Sequence, residues 1–343
     1  MKQYNFVKID ENEWRFISAL EESNSISEIS KKLRLPYITV YRTYKQLKDR
    51  ADLFFSINFQ KMNLLPVYLF FDNDTNITHV NEFVVSIRQV YGIKPYKIVY
   101  ALVPYVYLNN FIKIFDEKPR LIIRGFEFLR WRISSSFAVY LPSEKILLPL
   151  FNSWISEIEN ISYSVNEWKY SDMSPDSIDL MMIMGKYKHP LDSITEVIRR
   201  LRKYDSSIPL LSKQLLSYHY RKHVTLYWLY NTVNLYLDAN FVPFRLFYFK
   251  GREAHIAARI LVRLPSFYWA LIDINRALVF GQPPGHMFEG LYRILSSFDI
   301  DMPLGDLVVS LENISRFIPR LWNYVDSNRW IWRDARVKVP HLI

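Results

Sequence analysis

Two short segments account for all of the net positive charge of the chain. The net charge is +10 over 343 residues, and segments 27–50 and 186–223 carry net charges of +5 and +6. Positive charge confined to short windows is typical of surfaces that bind a polyanion such as nucleic acid. Both windows also contain hydroxyl and aromatic side chains, which can contact base edges and phosphates. The chemistry indicated by these residues is recognition of DNA.

In the first window, helical spacing separates an apolar face from a basic face. Val40, Tyr44 and Leu47 recur at i, i+4 and i+7, which predicts a helix over residues 37–50 that docks on two preceding helices. The third helix of a helix-turn-helix enters the major groove with its N-terminal residues at base edges. We therefore expect Tyr37, Thr39 and Arg42 to read bases. The predicted DNA-binding residues of this window are Lys31, Lys32, Tyr37, Thr39, Tyr41, Arg42, Lys45 and Lys48.

The second window repeats this pattern with a more polar helix over residues 211–224. His219 and His223 are spaced i, i+4, as two metal ligands on one helix face would be. No acidic or histidine partner is near them in sequence, so packing or phosphate contact is favoured and no metal site is predicted. The predicted DNA-binding residues of this window are Ser212, Lys213, Gln214, Ser217, Tyr218, Arg221 and Lys222.

An internal repeat indicates how these segments are positioned. Residues 65–71, Leu-Pro-Val-Tyr-Leu-Phe-Phe, are echoed by residues 242–248, Val-Pro-Phe-Arg-Leu-Phe-Tyr, at an offset of 177. Self-similarity at so long a period points to a duplicated pair of domains. Apolar strands alternating with short helices then predict a sheet covered by helices. The fold class predicted is α+β, a tandem repeat of a winged helix-turn-helix and a ferredoxin-like (βαββαβ) domain.

The predicted boundaries follow from these patterns. In the first α/β domain we expect strands at residues 64–71, 96–103 and 120–128, with helices at 77–91 and 105–115. Residues 144–168 have apolar side chains at helical spacing and predict a connecting helix. The domains predicted are winged helix 1 (1–60), ferredoxin-like domain 1 (61–140), connector helix and loop (141–172), winged helix 2 (173–240) and ferredoxin-like domain 2 (241–343).

A resemblance to a known family supports the winged-helix interpretation. Residues 26–33, Ile-Ser-Glu-Ile-Ser-Lys-Lys-Leu, followed by Thr39-Val40-Tyr41-Arg42 and Leu47, resemble transcription regulators of bacteria and archaea. The resemblance is strongest to the feast/famine (leucine-responsive regulatory protein) group. It implies a ferredoxin-like domain used for dimerisation and for sensing a small-molecule effector. The tandem copy departs from the family, whose usual chain has one of each domain.

Other motifs give little support for catalysis. The chain has no cysteine, Gly-x-Ser-x-Gly elbow, zinc-protease helix or paired-carboxylate motif. The segment from Gly281 to Gly285 lacks the spacing and lysine of a phosphate-binding loop and predicts a turn. Trp322, Trp330 and Trp332 could stack on bases, but the alternation of Trp330 and Trp332 favours a place in the core. We therefore predict no enzyme activity, no cofactor and no metal.

The sequence thus predicts a DNA-binding transcription regulator whose two winged helices act as a pseudo-dimer. A replication initiator or architectural DNA-binding protein is one alternative, and a module that senses a ligand or assembles partners is another. The partners expected are double-stranded DNA, a small-molecule effector and a second copy of the chain. No apolar run approaches the ~18 residues that a membrane span needs. A cytoplasmic, nucleoid-associated protein is expected.

Overall fold

The computed structural model describes residues 6–165, 168–171 and 174–339. It confirms the α+β class, with helices in each half of the chain and one large antiparallel sheet to which both halves contribute strands. None of the helices in these ranges has the length and apolar character needed to cross a membrane.

The chain begins with a small three-helix unit whose helix starts are set by side-chain caps. Asp10 accepts from the Glu13 amide while the Glu13 carboxylate accepts from the Asp10 amide, and Ser25 caps the second helix. Val40 and Leu47 are buried on the third helix, as their spacing predicted. The elements are β1 (Val7–Lys8), α1 (Glu11–Leu20), α2 (Ile26–Leu33), α3 (Tyr37–Lys48) and β2 (Ala51–Ile57).

The first α/β domain follows directly. Its four main strands pair in the order β7-β3-β6-β5, the fourth-first-third-second order of a ferredoxin-like sheet. The predicted helix over residues 77–91 is wrong, because this segment forms β4 and β5. β5 pairs with β6 on one side and with a strand of the second half on the other. The elements are β3 (Leu64–Asp72), β4 (His79–Asn81), β5 (Val84–Tyr91), β6 (Tyr96–Pro104), α4 (Leu108–Ile112) and β7 (Leu121–Arg124).

The connection between the halves differs from the prediction. Residues 146–149 form a strand instead of part of a long helix, because they pair with β9 on one side and with β1 on the other. The predicted strand over residues 120–128 is two strands, β7 and β8, separated at Gly125. The elements are β8 (Glu127–Arg130), β9 (Ala138–Leu141), β10 (Ile146–Pro149) and α5 (Ile158–Ile161).

The second winged helix pairs with the first. Its first helix is capped by Asp176, whose side chain accepts from the Asp179 amide. Its strand β11 runs antiparallel to β2, with Val233 opposite Leu53, so the two halves share one ribbon. The elements are α6 (Ser177–Lys186), α7 (Ile194–Tyr204), α8 (Lys213–His219), a π-helical turn (Tyr220–Val224), α9 (Thr225–Tyr227) and β11 (Trp228–Leu235).

The second α/β domain has the complete βαββαβ order. Its strands pair as β15-β12-β14-β13, the same arrangement as in the first half. The echoed motifs occupy equivalent places, since β3 and β12 are the first strands of their domains. The elements are β12 (Arg245–Lys250), α10 (Ala254–Leu261), β13 (Phe267–Asp273), β14 (Arg276–Gly281), α11 (Phe288–Leu295) and β15 (Asp306–Arg316).

The two α/β domains form one nine-stranded sheet that curls into a barrel. β5 pairs with β15, and β13 pairs with β8. The outer strands of the sheet, β7 and β8, are consecutive in the chain and separated by Gly125 and Phe126. Gly125 N donates to Pro66 O at 2.8 Å and Phe126 N donates to Ile272 O at 2.9 Å, so this link joins the two sheet edges. The barrel therefore has strands from both halves all around it.

The C-terminal segment covers the first half where its sheet lacks a helix. The Trp330 indole donates to Met62 O at 2.9 Å, and the Tyr324 ring lies 4.4 Å from that of Phe83. Trp330 is 5% exposed, which confirms the core interpretation for this residue, whereas Trp332 is half-buried. Trp322 is also 5% exposed. The strands are β16 (Val325–Asp326), β17 (Arg329–Trp330) and β18 (Arg336–Lys338), and β18 pairs with β4.

Candidate functional site

The residues predicted to bind DNA lie on the surface of the two winged helices. Tyr37 is 53% exposed and stacks on Tyr41, whose ring also lies 5.0 Å from the Lys45 ammonium. None of the predicted DNA-binding residues lines the cavity inside the barrel. Thr39, Tyr41 and Ser217 are half-buried, while Lys31, Lys32, Tyr37, Arg42, Lys45, Lys48, Ser212, Lys213, Gln214, Tyr218, Arg221 and Lys222 are exposed.

A cavity of about 330 Å³ lies inside the barrel, beneath the winged helices. Strand residues point alternately inward and outward, so every second residue of a strand lines it. On β6 these residues are Ile98, Tyr100 and Leu102, while Val99 and Ala101 pack on the outer side. The volume falls within the ~300–1,000 Å³ of ordinary ligand pockets.

The wall opposite the barrel comes from the second winged helix and from the shared ribbon. The end of α6 supplies Tyr187, Lys188 and His189, and α7 supplies Arg200 and Tyr204. From the β2–β11 ribbon come Asp52, Phe54, Asn234 and Tyr236. The cavity is therefore made by elements that lie far apart in the sequence.

The inner wall is strongly aromatic. The Tyr68 ring stacks on Tyr100 with centroids 4.7 Å apart and lies 5.2 Å from Trp269. Trp269 in turn stacks on Phe280 at 5.3 Å and on Phe128 at 5.9 Å. Such a surface has large flat faces against which an aromatic ligand can stack.

Cationic groups greatly outnumber acidic ones around this aromatic wall. Asp52 is the one carboxylate among the described residues that line the cavity, and it accepts from the Tyr236 hydroxyl at 2.8 Å. Arg200 is neutralised by Asp192 outside the cavity. The cationic lining residues are Arg88, Arg130, Lys188, Arg200 and Arg316.

Arg130 is the most deeply placed of these cations. Its side chain is 6% exposed and its guanidinium lies 3.9 Å from the centroid of the Phe54 ring. Nη2 donates to the Tyr187 hydroxyl at 2.7 Å, whereas Nη1 is buried with no hydrogen-bond partner. A buried donor of a charged group costs free energy unless an acceptor satisfies it. Arg130 thus offers an unused charged donor at the cavity.

Arg88 and Lys188 lack neutralising partners as well. Neither makes a hydrogen bond or an ion pair with any residue in the described part of the chain. Burial lowers the pKa of the Arg88 guanidinium, and the positive charge of Arg316 lowers it further. Burial likewise lowers the pKa of Lys188; the Asp52 carboxylate opposes this shift, while Arg316, Arg88 and Arg130 add to it. Since these charges repel one another, an anion in the cavity would stabilise all of them.

His189 is the one imidazole among the described residues that line the cavity. Burial lowers its pKa to about 4, and the nearby Arg200 charge acts in the same direction. The imidazole is therefore neutral at pH 7. Its Nδ1 is buried without a hydrogen-bond partner and lies 3.9 Å from the Asp192 carboxylate. The neutral imidazole can act only as a weak base toward a bound molecule, because burial and the neighbouring cations disfavour its protonated form.

Sequence reasoning did not find this site. Arg88 stood in a segment predicted to be helical, and its alternation with Ser86 and Val90 becomes visible only once the segment is a strand. Arg130 follows a predicted strand that proved to be two. His189 stood in the second basic window, but its charge environment depends on Arg200 and on the barrel, which no local pattern reveals.

Comparison with known proteins gave one structural likeness. No protein-family model and no curated protein matches the chain. The crystal structure of the siroheme decarboxylase NirDL is similar at a TM-score of 0.44 and 7% identity, covering 88% of this chain and 91% of that one.

This solved structure is that of an enzyme, and it contradicts two predictions from the sequence. The prediction of a DNA-binding transcription regulator is wrong by this comparison, and so is the prediction that the chain is not an enzyme. Nucleoid association has no support either. A structural likeness with so low a TM-score and identity assigns no activity to the chain.

Proposed function

We propose that this protein is an enzyme that binds an aromatic molecule with several carboxylate groups in the barrel cavity. The observation that carries the proposal is the unpaired cationic lining: Arg88, Arg130 and Lys188 face an aromatic chamber that contains one carboxylate. Arginine suits this role because its planar fork can donate two hydrogen bonds to one carboxylate.

The shape of the cavity supports an aromatic ligand. Tyr68, Tyr100 and Trp269 form a continuous stacked surface, and the arginines border it. A flat ring system could stack on this surface while its acidic groups reach the guanidinium groups. At the open side, Tyr204, Leu311 and Ile318 are exposed apolar side chains beside Arg316, which would suit entry of such a molecule.

Two groups in the wall support catalysis. His189 is neutral at pH 7 and can accept a proton, and the Tyr236 hydroxyl is held by Asp52 at 2.8 Å. Burial raises the pKa of Tyr236, so its phenol remains a proton donor at neutral pH. A carboxylate held by Arg130 would lie in the same chamber as these two groups.

Binding is tested with aromatic carboxylates of increasing size, from naphthalene dicarboxylate to a porphyrin tetracarboxylate. Siroheme, after which the structurally similar decarboxylase is named, is among the larger probes. Calorimetric titration should give one site per chain, and the methyl ester of each probe should bind at least about tenfold more weakly. Tight binding of the esters would contradict the role of the charges.

Variants test whether the cavity is the site. Arg130→Met and Arg88→Met should each weaken binding by about 10- to 100-fold, since a charge-assisted hydrogen bond contributes ~1.5–3 kcal/mol. Arg120→Met is the control, because Arg120 is exposed and pairs with Asp72 away from the cavity. Two arginine variants are used so that loss of folding in one leaves the other informative. Unchanged affinity in both would exclude the cavity.

Turnover is tested separately by mass spectrometry of the bound molecule after incubation. His189→Gln should leave the affinity within about threefold and lower the rate of conversion by at least about 100-fold. If the unaltered protein binds the molecule but does not convert it, the proposal of an enzyme is contradicted. The alternative of a module that senses a ligand would then be favoured.

A further inference from the structure

Four metal-ligating side chains meet where α6 begins and α8 ends. Asp176 caps α6 and Asp179 lies in its first turn, while His219 ends α8 and His223 lies in the π-helical turn that follows. His219 Nδ1 lies 2.9 Å from Asp179 Oδ1 and 3.4 Å from Asp176 Oδ2, and His223 Nδ1 lies 3.2 Å from Asp179 Oδ2. The sequence showed the histidine pair but no partner, because the aspartates are 40 residues away along the chain.

The spacing of these atoms matches the edges of a coordination tetrahedron. Zinc binds imidazole nitrogen and carboxylate oxygen at ~2.0–2.2 Å, which places neighbouring ligand atoms about 3.4 Å apart. The three separations, 2.9 to 3.4 Å, lie close to this value, and the two that involve Asp179 end on its two different oxygens. One ligand atom from each of the four residues lies within 4.8 Å of every other. Small shifts of the side chains would open room for an ion.

The backbone already holds these ligands in place. The Asp176 and Asp179 side chains each accept from the other's amide in a capping box, which fixes both carboxylates at the start of α6. His219 closes α8, and His223 belongs to the π-helical turn that follows. Single π-helical turns are rare in proteins and are found frequently at functional sites.

The charges of the cluster also favour a cation. Asp179 is 2% exposed and Asp176 is half-buried, yet no lysine or arginine among the described residues pairs with either carboxylate. Two carboxylates therefore share a partly buried place with no lysine or arginine from the described part of the chain beside them. A divalent ion would balance them.

We propose that Asp176, Asp179, His219 and His223 form a binding site for a divalent transition-metal ion, with zinc as the best match. Two imidazoles and two carboxylates are donors that suit zinc and complete its tetrahedral shell. The ion fastens the start of α6 to α8. Because α6 ends at Lys186, directly before the cavity residues Tyr187, Lys188 and His189, the site also fixes one wall of the cavity.

The alternative is a metal-free network in which the Asp179 carboxylate accepts a hydrogen bond from each imidazole. The two arrangements differ in one measurable property, the binding of the metal itself. The full-length protein is stripped with a chelator, returned to buffer and titrated with Zn²⁺ by calorimetry. We expect one ion per chain with a dissociation constant below about 1 µM.

Variants assign the binding to the cluster. His219→Gln combined with His223→Gln should weaken zinc binding by at least about 100-fold, and Asp176→Asn combined with Asp179→Asn should do the same. His79→Gln is the control, because His79 is exposed and contacts Thr78 on the opposite domain. Equal zinc affinity in the control and in either double variant would overturn the proposal.

Cobalt gives an independent readout. Co²⁺ in the zinc site should produce the intense visible absorption of tetrahedral cobalt, absent from the histidine variant. Zinc should also raise the melting temperature of the unaltered protein, since a ligand that binds the folded state stabilises it. A weak octahedral cobalt spectrum together with an unchanged melting temperature would show a hydrogen-bonded network only. Neither measurement uses the barrel ligand, so their failure would leave the proposed function standing.

Discussion

Buried cations without partners are the most informative residues of this protein. An arginine taken out of water normally has a carboxylate beside it, because the free energy of desolvation is otherwise uncompensated. Arg259 follows this rule: it is 2% exposed and its Nη2 lies 2.5 Å from Glu127. Arg130 is 6% exposed and has a phenol and aromatic rings instead. The contrast between the two arginines separates structural charge from charge held ready for a ligand.

Lys186 gives a prediction on pH dependence. It is 2% exposed, its ammonium donates to Asp192 O at 3.1 Å, and burial lowers its pKa to about 8. Below about pH 8 the lysine is charged in both folded and unfolded protein, and the folded state bears the full cost. Between pH 8 and 10.5 the unfolded chain holds more protons, so the free energy of unfolding rises with pH, by up to about 3 kcal/mol.

Lys186→Met should therefore stabilise the protein at pH 7 by about 1–3 kcal/mol. This advantage should shrink towards zero as the pH rises from 8 to 10. Urea denaturation at several pH values measures it, and the difference between the two proteins removes the contribution of the buried tyrosines. Lys118→Met is the comparison, since Lys118 is exposed. A difference that does not change with pH would contradict the prediction.

At the scale of elements, the sequence predicted what local patterns determine. The stripe of Val40, Tyr44 and Leu47 predicted a helix over residues 37–50, and the third helix is found at Tyr37–Lys48. The prediction failed at residues 77–91, where Val84, Ile87 and Val90 also fit a helical spacing. The competing interaction is pairing with β6 and β15, both of which are distant in sequence. Local periodicity could not reveal that the C-terminal segment, and not a helix over residues 77–91, covers the sheet of the first half.

That covering segment supports a prediction on stability. Trp330 is 5% exposed, and its indole donates to Met62 O at 2.9 Å. Trp330→Ala should lower the free energy of unfolding by about 3–5 kcal/mol, because it leaves a large cavity and an unpaired carbonyl. Phe241→Ala is the control, since Phe241 is 75% exposed. A loss below about 1 kcal/mol, as expected of the control, would mean that the segment does not serve as part of the core.

Gly185 supports a prediction on the packing of α6 against α7. A Cβ added there would overlap Cγ1 of Val197 and lie 3.1 Å from Cδ1 of Leu201. The Gly185 carbonyl also accepts from Arg200 Nη2 at 3.0 Å, so a shift of α7 would move a cation of the cavity. Gly185→Ala should destabilise the protein by about 1–3 kcal/mol and weaken ligand binding.

The matched control for that variant is Gly285→Ala. A Cβ at Gly285 meets no atom within 4 Å, and this residue has no positive φ angle. Thermal denaturation of both variants checks the prediction. Equal melting temperatures would show that α7 moves aside without cost.

At the scale of the whole molecule, the repeat was visible in the sequence but its closure was not. The echo of residues 65–71 in residues 242–248 identified the first strand of each domain correctly. Two separate domains were the expected result. The structure instead joins the halves at β2–β11, β5–β15 and β8–β13. Pairing between the two copies depends on the strand edges and on the link at Gly125, and neither has a sequence signature. The cavity exists only because the barrel closes, so the sequence could not predict it.

Shared strands lead to a prediction on cooperativity. Leu69 of β3 and Leu278 of β14 are fully buried and belong to one continuous core, although 209 positions separate them. Urea denaturation of the unaltered protein should therefore show a single transition, with the same midpoint by circular dichroism and by tryptophan fluorescence. Leu69→Ala and Leu278→Ala should each lower that one midpoint, by about 2–5 kcal/mol in free energy. If each half instead unfolded separately, two transitions would be seen, and Leu69→Ala would shift only the transition of the first half. That outcome would mean that the barrel is two weakly associated sheets, and the cavity between them could not hold its cations in fixed positions.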